Sequence, residues 1–199
     1  RVGLLRVGGV VTGEDFTFGH NKGGNAIAMA EFGARYGFSD ATVGAVLLDG
    51  APVSSSRIRD ALHAGNPREA ARLLTRPWAI EGRVQHGDKL GREIGFPTAN
   101  IDMGNYLRPA YGIYAVRGRL PDGRVVNGAA NLGIRPSFDP PKELLEPYFF
   151  DFHGDLYDQR IEVELVDYLR AEAKFETLEG LVAQIAADCD RARALLVRG

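Results

Sequence analysis

The sequence predicts a protein in two parts, an α/β part followed by an antiparallel β-barrel with a C-terminal helix. Strand and helix signals alternate over residues 1–78, whereas short apolar segments of period two follow from residue 79. A single apolar stripe of helical period then runs along the end of the chain. The change of period near Pro77 and Trp78 predicts a domain boundary, with one domain at 1–78 and a second at 79–199.

Local start and stop signals define the elements of the first part. Asn25 suits the N-cap of a helix that ends before Gly37, and Asn66, Pro67 and Glu69 suit the N-cap, first and third positions of another helix. This alternation is typical of a parallel sheet of the nucleotide-binding kind. The predicted elements are a strand at 6–12, a helix at 25–36, a strand at 41–48, a helix at 57–64 and a short helix after it.

Turn residues separate the strands of the second part, and Pro121, Asp122 and Gly123 are typical of a hairpin connection. Several short strands without intervening helices predict a closed or nearly closed barrel. The predicted strands lie at 79–85, 111–119, 124–131, 147–152 and 160–168. The last helix is expected to cover the barrel with an apolar stripe of Leu178, Leu181, Val182, Ile185, Cys189, Ala192 and Leu196.

Composition narrows the functional classes. The 199 residues carry a net charge of −2 with both signs mixed, which argues against nucleic-acid binding, and no apolar run has membrane-spanning length. The single cysteine, Cys189, excludes an internal disulfide framework and suits a reducing, cytoplasmic location. Because the chain opens on Arg1 and residues 2–11 already have the pattern of a strand in mid-fold, we expect a truncated chain. The oligomeric state is left open.

Three glycines and a lysine lie just upstream of a proline-fixed Thr and Asn. Gly87, Gly91 and Gly95 let the backbone approach a ligand, so that main-chain N–H groups can point at phosphate oxygens, with Lys89 among them. For glycines alone, a turn entering a strand is the favoured interpretation. The Pro-Thr-Ala-Asn continuation at 97–100 favours a phosphate loop instead, since a plain turn has no use for it.

The end of this loop has the residue types of a magnesium site. Pro97 fixes the local backbone, and Thr98 and Asn100 face the same side of an extended segment because they are two residues apart. A hydroxyl and an amide oxygen suit a hard cation such as Mg²⁺ that phosphates already hold in part. The segment therefore predicts a phosphate-binding loop followed by a metal-binding pair.

One carboxylate lies at the mouth of an apolar strand. Glu146 precedes the apolar run of 147–152, and apolar neighbours would raise its proton affinity, as a general base requires. An exposed acid at a strand end explains the same pattern equally well. The residues alone leave both interpretations open.

The second part carries an ordered series of motifs: Gly-Arg-Glu-Ile-Gly-Phe-Pro-Thr-Ala-Asn, Tyr-Gly-Ile-Tyr-Ala-Val, Asn-Leu-Gly-Ile-Arg-Pro-Ser-Phe, Glu146 with its apolar strand, Gly-Asp-Leu-Tyr and Leu-Arg-Ala-Glu-Ala-Lys-Phe. From about residue 79 to the end, this series resembles the riboflavin kinase part of the bacterial riboflavin kinase/FMN adenylyltransferase family, the prokaryotic FAD synthetases. Three positions depart from the family pattern: Tyr148 stands where a histidine is frequent, Ser137 where a threonine is usual, and Asp158 where a glycine commonly follows Gly-Asp-Leu-Tyr. Of these, Asp158 lacks the conformational freedom of glycine. That departure puts the local turn in doubt.

The resemblance implies a small β-barrel with a C-terminal helix and a role for each motif. In that family the glycine-rich loop binds ATP, the Thr and Asn bind Mg²⁺, and a glutamate activates the 5′-hydroxyl of riboflavin. The glutamate corresponds to Glu146, the metal ligands to Thr98 and Asn100, and Arg170 is a candidate for the flavin side. The implied ATP-binding residues are Gly87, Lys89, Gly91, Gly95, Pro97 and Thr98.

The first part resembles the adenylyltransferase domain of the same family, a Rossmann-like nucleotidyltransferase. Its flavin segment corresponds to Gly13, Asp15, Phe16 and Phe18, and its ATP-phosphate segment to Ser54, Ser55, Ser56, Arg57 and Arg59. Hydroxyls, helix-start N–H groups and two arginines form a reasonable phosphate site, although a serine N-cap before a basic helix explains them equally well. The histidine motif expected at the start of that domain does not occur, so FAD formation is expected only of the intact parent protein.

These expectations converge on phosphoryl transfer from ATP to riboflavin, giving FMN and ADP. No Gly-x-x-x-x-Gly-Lys-Ser/Thr pattern occurs, so an ordinary P-loop kinase is excluded. FMN adenylylation to FAD is one alternative, and the missing histidine motif argues against it for this chain. A flavin-binding barrel without catalysis is another, and it leaves Glu146, Thr98 and Asn100 without a function.

Overall fold

A pair of parallel strands joined by a helix forms the first of two compact units, residues 1–53. The computed structural model describes residues 7–87, 90–135 and 141–197. Elements of this unit are β1 (Gly9–Gly13), a 3₁₀ turn (His20–Lys22), α1 (Ala26–Tyr36), β2 (Ser39–Val43), β3 (Leu47–Leu48) and β4 (Ala51–Pro52). Strand β1 pairs in parallel with β2 across α1, whereas β3 and β4 form a short antiparallel hairpin. This strand-helix-strand connection confirms the α/β prediction.

The ends of α1 follow the sequence signals, and the strand limits do not. Asn25 caps the helix by accepting a backbone N–H through Oδ1 at 3.0 Å, and Gly37 ends it in the left-handed conformation with φ of 74°. The predicted strand at 41–48 is wrong in extent, because β2 ends at Val43. Just beyond, the Ala45 N–H donates to a glutamate side chain at 3.2 Å instead of continuing a strand ladder.

The described part of the second unit, residues 54–199, holds three helices, a closed antiparallel barrel and the C-terminal helix. Elements of this unit are α2 (Ser55–His63), α3 (Pro67–Leu74), β5 (Trp78–Gln85), α4 (Leu90–Glu93), β6 (Asn100–Asp102), β7 (Gly112–Arg119), β8 (Val125–Arg135), β9 (Lys142–Phe149), β10 (Arg160–Arg170) and α5 (Leu178–Leu196). Barrel strands are hydrogen-bonded in the order β10, β5, β6, β9, β8, β7, and β7 closes the ring against β10. The closed barrel confirms the predicted architecture.

Three strands of the barrel differ from their predictions by more than two residues, and one of them, β8, continues to Arg135 instead of ending at residue 131. The three-residue β6 was missed, because it is too short to show a period of two. The strand predicted at 147–152 is β9, which begins earlier, at Lys142. Glu146 is therefore in the middle of a strand, and its expected position at a strand mouth is wrong.

Large apolar side chains fill the barrel. Ile80, Ile101, Leu132, Leu145 and Leu165 are each fully buried, because alternate residues of every strand point inward. Trp78, the chain's single tryptophan, packs against this cluster from one end. Unfolding of the second unit can therefore be followed by its fluorescence.

Helix α5 packs on the outside of the barrel against β7, β8 and β10. Its N-cap, Thr177, accepts the Gly180 N–H at 3.1 Å. Cys189, Ala192 and Leu196 are buried as the stripe predicts, whereas Leu178, at the first turn, is exposed. Within the described residues, no helix is long and apolar enough to cross a membrane.

Helices α2 and α3 belong to the same compact unit as the barrel. The Leu62 carbonyl accepts the Ala110 N–H at 2.9 Å, and Arg68 forms an ion pair with Asp167 of β10 at 2.7 Å. Packing therefore divides the chain after Val53, earlier than the change of hydrophobic period near 78. A change in the period of apolar residues indicates a change of secondary structure. It does not indicate which element a helix packs against. The domain limits 1–78 and 79–199 therefore stay a prediction.

Shortening one barrel core side chain tests this packing. We expect Leu132→Ala to lower the free energy of unfolding by about 3 kcal/mol, because the lost contacts leave a cavity inside a closed barrel. Val125→Ala, at an exposed position of the same strand, should cost less than about 0.5 kcal/mol. Urea unfolding followed by Trp78 fluorescence measures both, and equal losses would contradict the assigned core.

Candidate active site

The predicted phosphate loop packs directly on the predicted metal ligands. A Cβ added to Gly87 would lie 2.6 Å from Nδ2 of Asn100, and one added to Gly91 would lie 3.5 Å from Oγ1 of Thr98. The distance to Thr98 is ordinary van der Waals contact, and the approach that requires glycine at position 91 is to the Phe96 carbonyl oxygen, 2.5 Å from the added Cβ. Gly95 has a φ of 88°, in the region that favours glycine. Lys89 lies outside the described residues.

The side chains of Thr98 and Asn100 are unpaired within the described part of the chain. Asn100 is buried at the start of β6, Thr98 is half-buried two residues earlier, and neither side chain makes a hydrogen bond to any other described residue. The described ranges also contain no cluster of three His, Cys, Asp or Glu side chains that could hold a metal ion. Neutral oxygens beside a glycine loop fit a cation that is held mainly by a ligand's phosphates.

Two cavities meet at Thr98. The larger, about 400 Å³, opens between the barrel wall, α5 and the segment that follows β10, and it contains Gly91, Glu146 and Arg170. The smaller, about 80 Å³, is bordered by Pro97 and Thr98. Gly87, Gly95 and Asn100 line neither cavity. Aromatic and aliphatic residues form much of the larger wall: Ile94, Phe96, Ile113, Tyr148, Phe175, Leu181, Ile185 and Cys189.

Glu146 points into the larger cavity with an arginine as its partner. Arg135 Nε and Nη2 both contact the same carboxylate oxygen, Oε2, while Oε1 has no partner within the described residues. Arg135 Nη1 also contacts Glu172 Oε1 at 3.3 Å. Burial disfavours the charged guanidinium, but the hydrogen bonds that it donates to the two glutamates outweigh burial and raise the pKa of Arg135. The sequence predicted apolar neighbours for Glu146, and the structure adds an ion-pair partner that the sequence did not predict.

An unpaired acceptor lies beside this ion pair. Asn131 faces Glu146 in the register of β8 and β9, and its Oδ1 atom is buried with no hydrogen-bond partner among the described residues. Buried acceptors without partners are rare in folded proteins and tend to mark functional sites. The sequence interpretation missed both Asn131 and Arg135, although both belong to the Asn-Leu-Gly-Ile-Arg motif that it used.

Arg170 lines the cavity, and the protein itself uses much of its hydrogen-bonding capacity. Its Nε donates to both Asp188 oxygens at 3.0 Å, and its Nη2 donates to Oδ2 at 2.7 Å. Gln184 supports the same carboxylate at 3.1 Å. The guanidinium also lies 5.8 Å from the ring centre of Phe175. Asp188 is a buried acid on the apolar side of α5, a signal that the sequence interpretation overlooked.

Comparison with known proteins identifies the family to which the chain with this cavity and glycine loop belongs. A comparison with protein families matches residues 74–196 to riboflavin kinase. The chain belongs to the riboflavin kinase family. A second match, over residues 2–57, is to FAD synthetase.

Individual relatives agree with this assignment. The bifunctional riboflavin kinase/FMN adenylyltransferase of Haemophilus influenzae is 41% identical over 97% of this chain and 63% of its own length. The protein of the same name from Pseudomonas fluorescens is 42% identical over 92% of this chain and 59% of its own. The chain thus spans less than two thirds of these relatives.

A solved structure supports the fold of the riboflavin kinase part. It is titled a macrolide-efflux protein from Streptococcus pneumoniae, and it matches this chain with a TM-score of 0.79 and 33% identity. The match covers 91% of this chain and 58% of that one. Asp158, one departure from the riboflavin kinase pattern, keeps the turn in the left-handed conformation with φ of 61°, which Asp tolerates better than most residues. Ser137, another departure, lies outside the described residues.

The flavin segment predicted for the FAD synthetase match lies in the first unit. Phe16 and Phe18 stack with ring centres 5.7 Å apart, and Phe32 of α1 packs on Phe18 at 6.1 Å. Gly13 ends β1, and Asp15 lies just beyond it. These positions are compatible with a ligand surface, and flavin binding by them stays a prediction.

The serine and arginine segment lies in the second unit and has local partners. Ser54 is the N-cap of α2 and accepts the Arg57 N–H at 3.2 Å, as the capping interpretation requires. Arg57 forms an ion pair with Glu69 at 3.1 Å, and Arg59 donates to Ser56 at 3.2 Å. Ser55 is the first residue of the helix. A nucleotide-binding role for this segment stays a prediction.

Breaking the Arg170–Asp188 pair should destabilise the second unit. Asp188→Asn leaves a partly buried guanidinium without its counter-charge, so we expect the free energy of unfolding to fall by about 3 kcal/mol. Asp190→Asn, an exposed position on the same helix, should change it by less than about 0.5 kcal/mol. Urea titration measures the free energy of unfolding of both variants. An unchanged value for Asp188→Asn would show that the pair contributes no stability.

Proposed function

We propose that the chain phosphorylates riboflavin at its 5′-hydroxyl, using ATP with Mg²⁺, and releases FMN and ADP. The observation that carries this proposal is the junction at Thr98. There a large cavity with an available carboxylate oxygen meets a small cavity beside a glycine loop, in a chain of the riboflavin kinase family. A two-substrate transfer requires such a junction, because the reacting atoms must be held in contact.

The larger cavity suits the flavin. Its volume of about 400 Å³ lies in the range of small-molecule sites, and the rings of Phe96, Tyr148 and Phe175 offer flat apolar surfaces to an aromatic ring system. Glu146, Arg135 and Arg170 form its polar part. We infer that the isoalloxazine ring takes the apolar side and that the ribityl chain extends toward Glu146.

The smaller cavity suits part of the nucleotide. Phe149, Phe152, Leu156 and Tyr157 form apolar walls for a purine, and Arg92 adds a positive charge at the rim. About 80 Å³ cannot hold a whole nucleotide, so the phosphates would extend along the glycine loop toward Thr98. This direction brings the γ-phosphate to the junction of the two cavities.

The proposed reaction needs few protein groups. The ribityl 5′-oxygen attacks the γ-phosphorus, the bond from that phosphorus to the β,γ-bridging oxygen breaks, and the hydroxyl proton passes to Oε1 of Glu146. Arg135 occupies Oε2 and so leaves Oε1 as the proton acceptor. Mg²⁺ held by Thr98, Asn100 and the phosphates would neutralise the phosphate charge.

We further propose that the first unit belongs to an FMN adenylyltransferase domain of the intact parent protein. The match of residues 2–57 to FAD synthetase and the bifunctional names of the relatives support this. FMN made by the kinase site would then be the substrate for FAD formation. The single buried cysteine is compatible with a cytoplasmic enzyme.

Removing the proposed base should stop catalysis while binding persists. Glu146→Gln keeps the shape of the side chain, so we expect kcat to fall by roughly 10²- to 10⁴-fold with little change in the affinity for riboflavin or ATP. Glu143→Gln is the matched control, since Glu143 lies on the same strand, pairs with Arg108 and lines neither cavity. FMN formation is measured by chromatography. Riboflavin binding without FMN formation by the unaltered chain would favour a non-catalytic flavin-binding barrel.

Removing a proposed metal ligand should change the magnesium requirement instead. Asn100→Ala deletes one oxygen donor, so we expect a higher apparent KM for Mg·ATP that recovers in part at higher Mg²⁺, because phosphates keep the rest of the coordination shell. Asn127→Ala, at an exposed position of β8, serves as the control. Steady-state kinetics at a series of Mg²⁺ concentrations measures the apparent KM for Mg·ATP of both variants. An unchanged Mg²⁺ dependence of Asn100→Ala would show that Asn100 does not belong to the metal site.

A further inference from the structure

We propose that Glu172 is a positioning residue for catalysis, acting through Arg135 on Glu146. This inference rests on the proposed kinase reaction and adds a residue to it. Glu172 reaches the larger cavity from the segment after β10, whereas Arg135 and Glu146 project from β8 and β9. Three separate segments of the polypeptide thus contribute one charged side chain each to a continuous series of ion pairs, Glu146–Arg135–Glu172.

The backbone of β8 makes room for Glu172. Asn131, Gly133 and Arg135 lie on one face of the strand, because they are two residues apart. A Cβ on Gly133 would lie 2.7 Å from Cδ of Glu172 and 2.8 Å from its Oε2. Gly133 does not have a positive φ, so the reason for glycine here is space and not backbone conformation. The carboxylate of Glu172 therefore packs against the backbone of Gly133, next to Arg135.

The contact geometry shows what Glu172 does to Arg135. An arginine and a carboxylate usually pair as two parallel hydrogen bonds that cover both oxygens. Here Nε and Nη2 converge on Oε2 of Glu146, while Nη1 is turned toward Glu172. We infer that Glu172 holds the guanidinium in an orientation that leaves Oε1 of Glu146 free.

The burial and charge of the three groups agree with this role. The side chains of Glu146 and Arg135 are 18% and 22% exposed, and that of Glu172 is 39% exposed. Two carboxylates share one guanidinium, so Arg135 can balance the charge of only one of them. Nη1 of Arg135 also donates to the Ile134 carbonyl at 3.3 Å. Without Glu172, the guanidinium would therefore lose the only charged one of the two acceptors that hold Nη1 away from Glu146 among the described residues, and it could rotate more easily onto both Glu146 oxygens.

The experiment compares variants of the full 199-residue chain in the FMN-forming reaction. We expect Glu172→Gln to lower kcat by roughly ten-fold, a fraction of the loss from removing the base, with the KM values for riboflavin and ATP changed by less than about two-fold. Glu162→Gln is the matched control, because its side chain is 40% exposed, pairs with Arg119 at 3.6 Å and lies away from both cavities. That control should keep the unaltered kcat.

A double-mutant cycle tests whether Glu172 acts through Arg135. In an Arg135→Leu background, Glu172→Gln should cause no further loss of kcat, because the group that it orients is absent. Gly133→Ala provides a second route, since the added methyl group displaces the Glu172 carboxylate and should reproduce the Glu172→Gln loss. Trp78 fluorescence in urea verifies that each variant is folded.

The outcomes separate this inference from the proposed function. If the unaltered chain makes FMN and Glu172→Gln retains its kcat, or if the losses in the cycle are additive, the positioning role is overturned and the kinase proposal stands. If the unaltered, folded chain makes no FMN, both are overturned. A loss confined to KM would also overturn the positioning role, because it would place Glu172 in substrate binding.

Discussion

The antiparallel register of β8 and β9 is the constraint on which the rest of the candidate site depends. Leu132 pairs with Leu145 on the face that fills the barrel, and Asn131 pairs with Glu146 on the opposite face. Because side chains alternate between faces, one pairing sets both the core and the cavity wall. A slip of one residue would turn the leucines outward and bury the glutamate, so the stability of the core enforces the position of the carboxylate.

Charged groups on this wall are arranged in networks. Arg135 lies between two glutamates, and Arg170 is held by Asp188 and stacks near Phe175. Removing charges from water is costly, and fixed partners offset that cost while keeping each group in one orientation. The cavity thus combines apolar walls with a few charged groups whose directions are set before any ligand arrives.

Local patterns predicted much of the architecture. The caps at Asn25 and Asn66, the buried face of α5 and the closed barrel all follow from short-range signals or from hydrophobic period. The three-residue β6 is too short to show a period, and the packing of α2 and α3 with the barrel depends on tertiary contacts that no local pattern encodes.

The residues of the candidate site were also predicted only in part. Thr98, Glu146 and Arg170 were predicted from motifs, and the structure brings all three to one cavity. Arg135, Glu172 and Asp188 were missed as partners, because each acts across 11 to 37 residues of chain. Strand register and helix packing create these pairs, and a single sequence does not display either one directly.

The buried thiol in the cavity wall has a chemical consequence of its own. Burial raises the pKa of Cys189 to about 11, so the sulfur stays protonated at neutral pH. Only a thiolate is a strong nucleophile, and the oxidised flavin ring is an electrophile that thiolates can attack. A neutral sulfur lets this wall contact such a ring through dispersion forces alone. A flavin bound there, as proposed, would therefore contact a soft, polarisable surface that forms no covalent adduct with it.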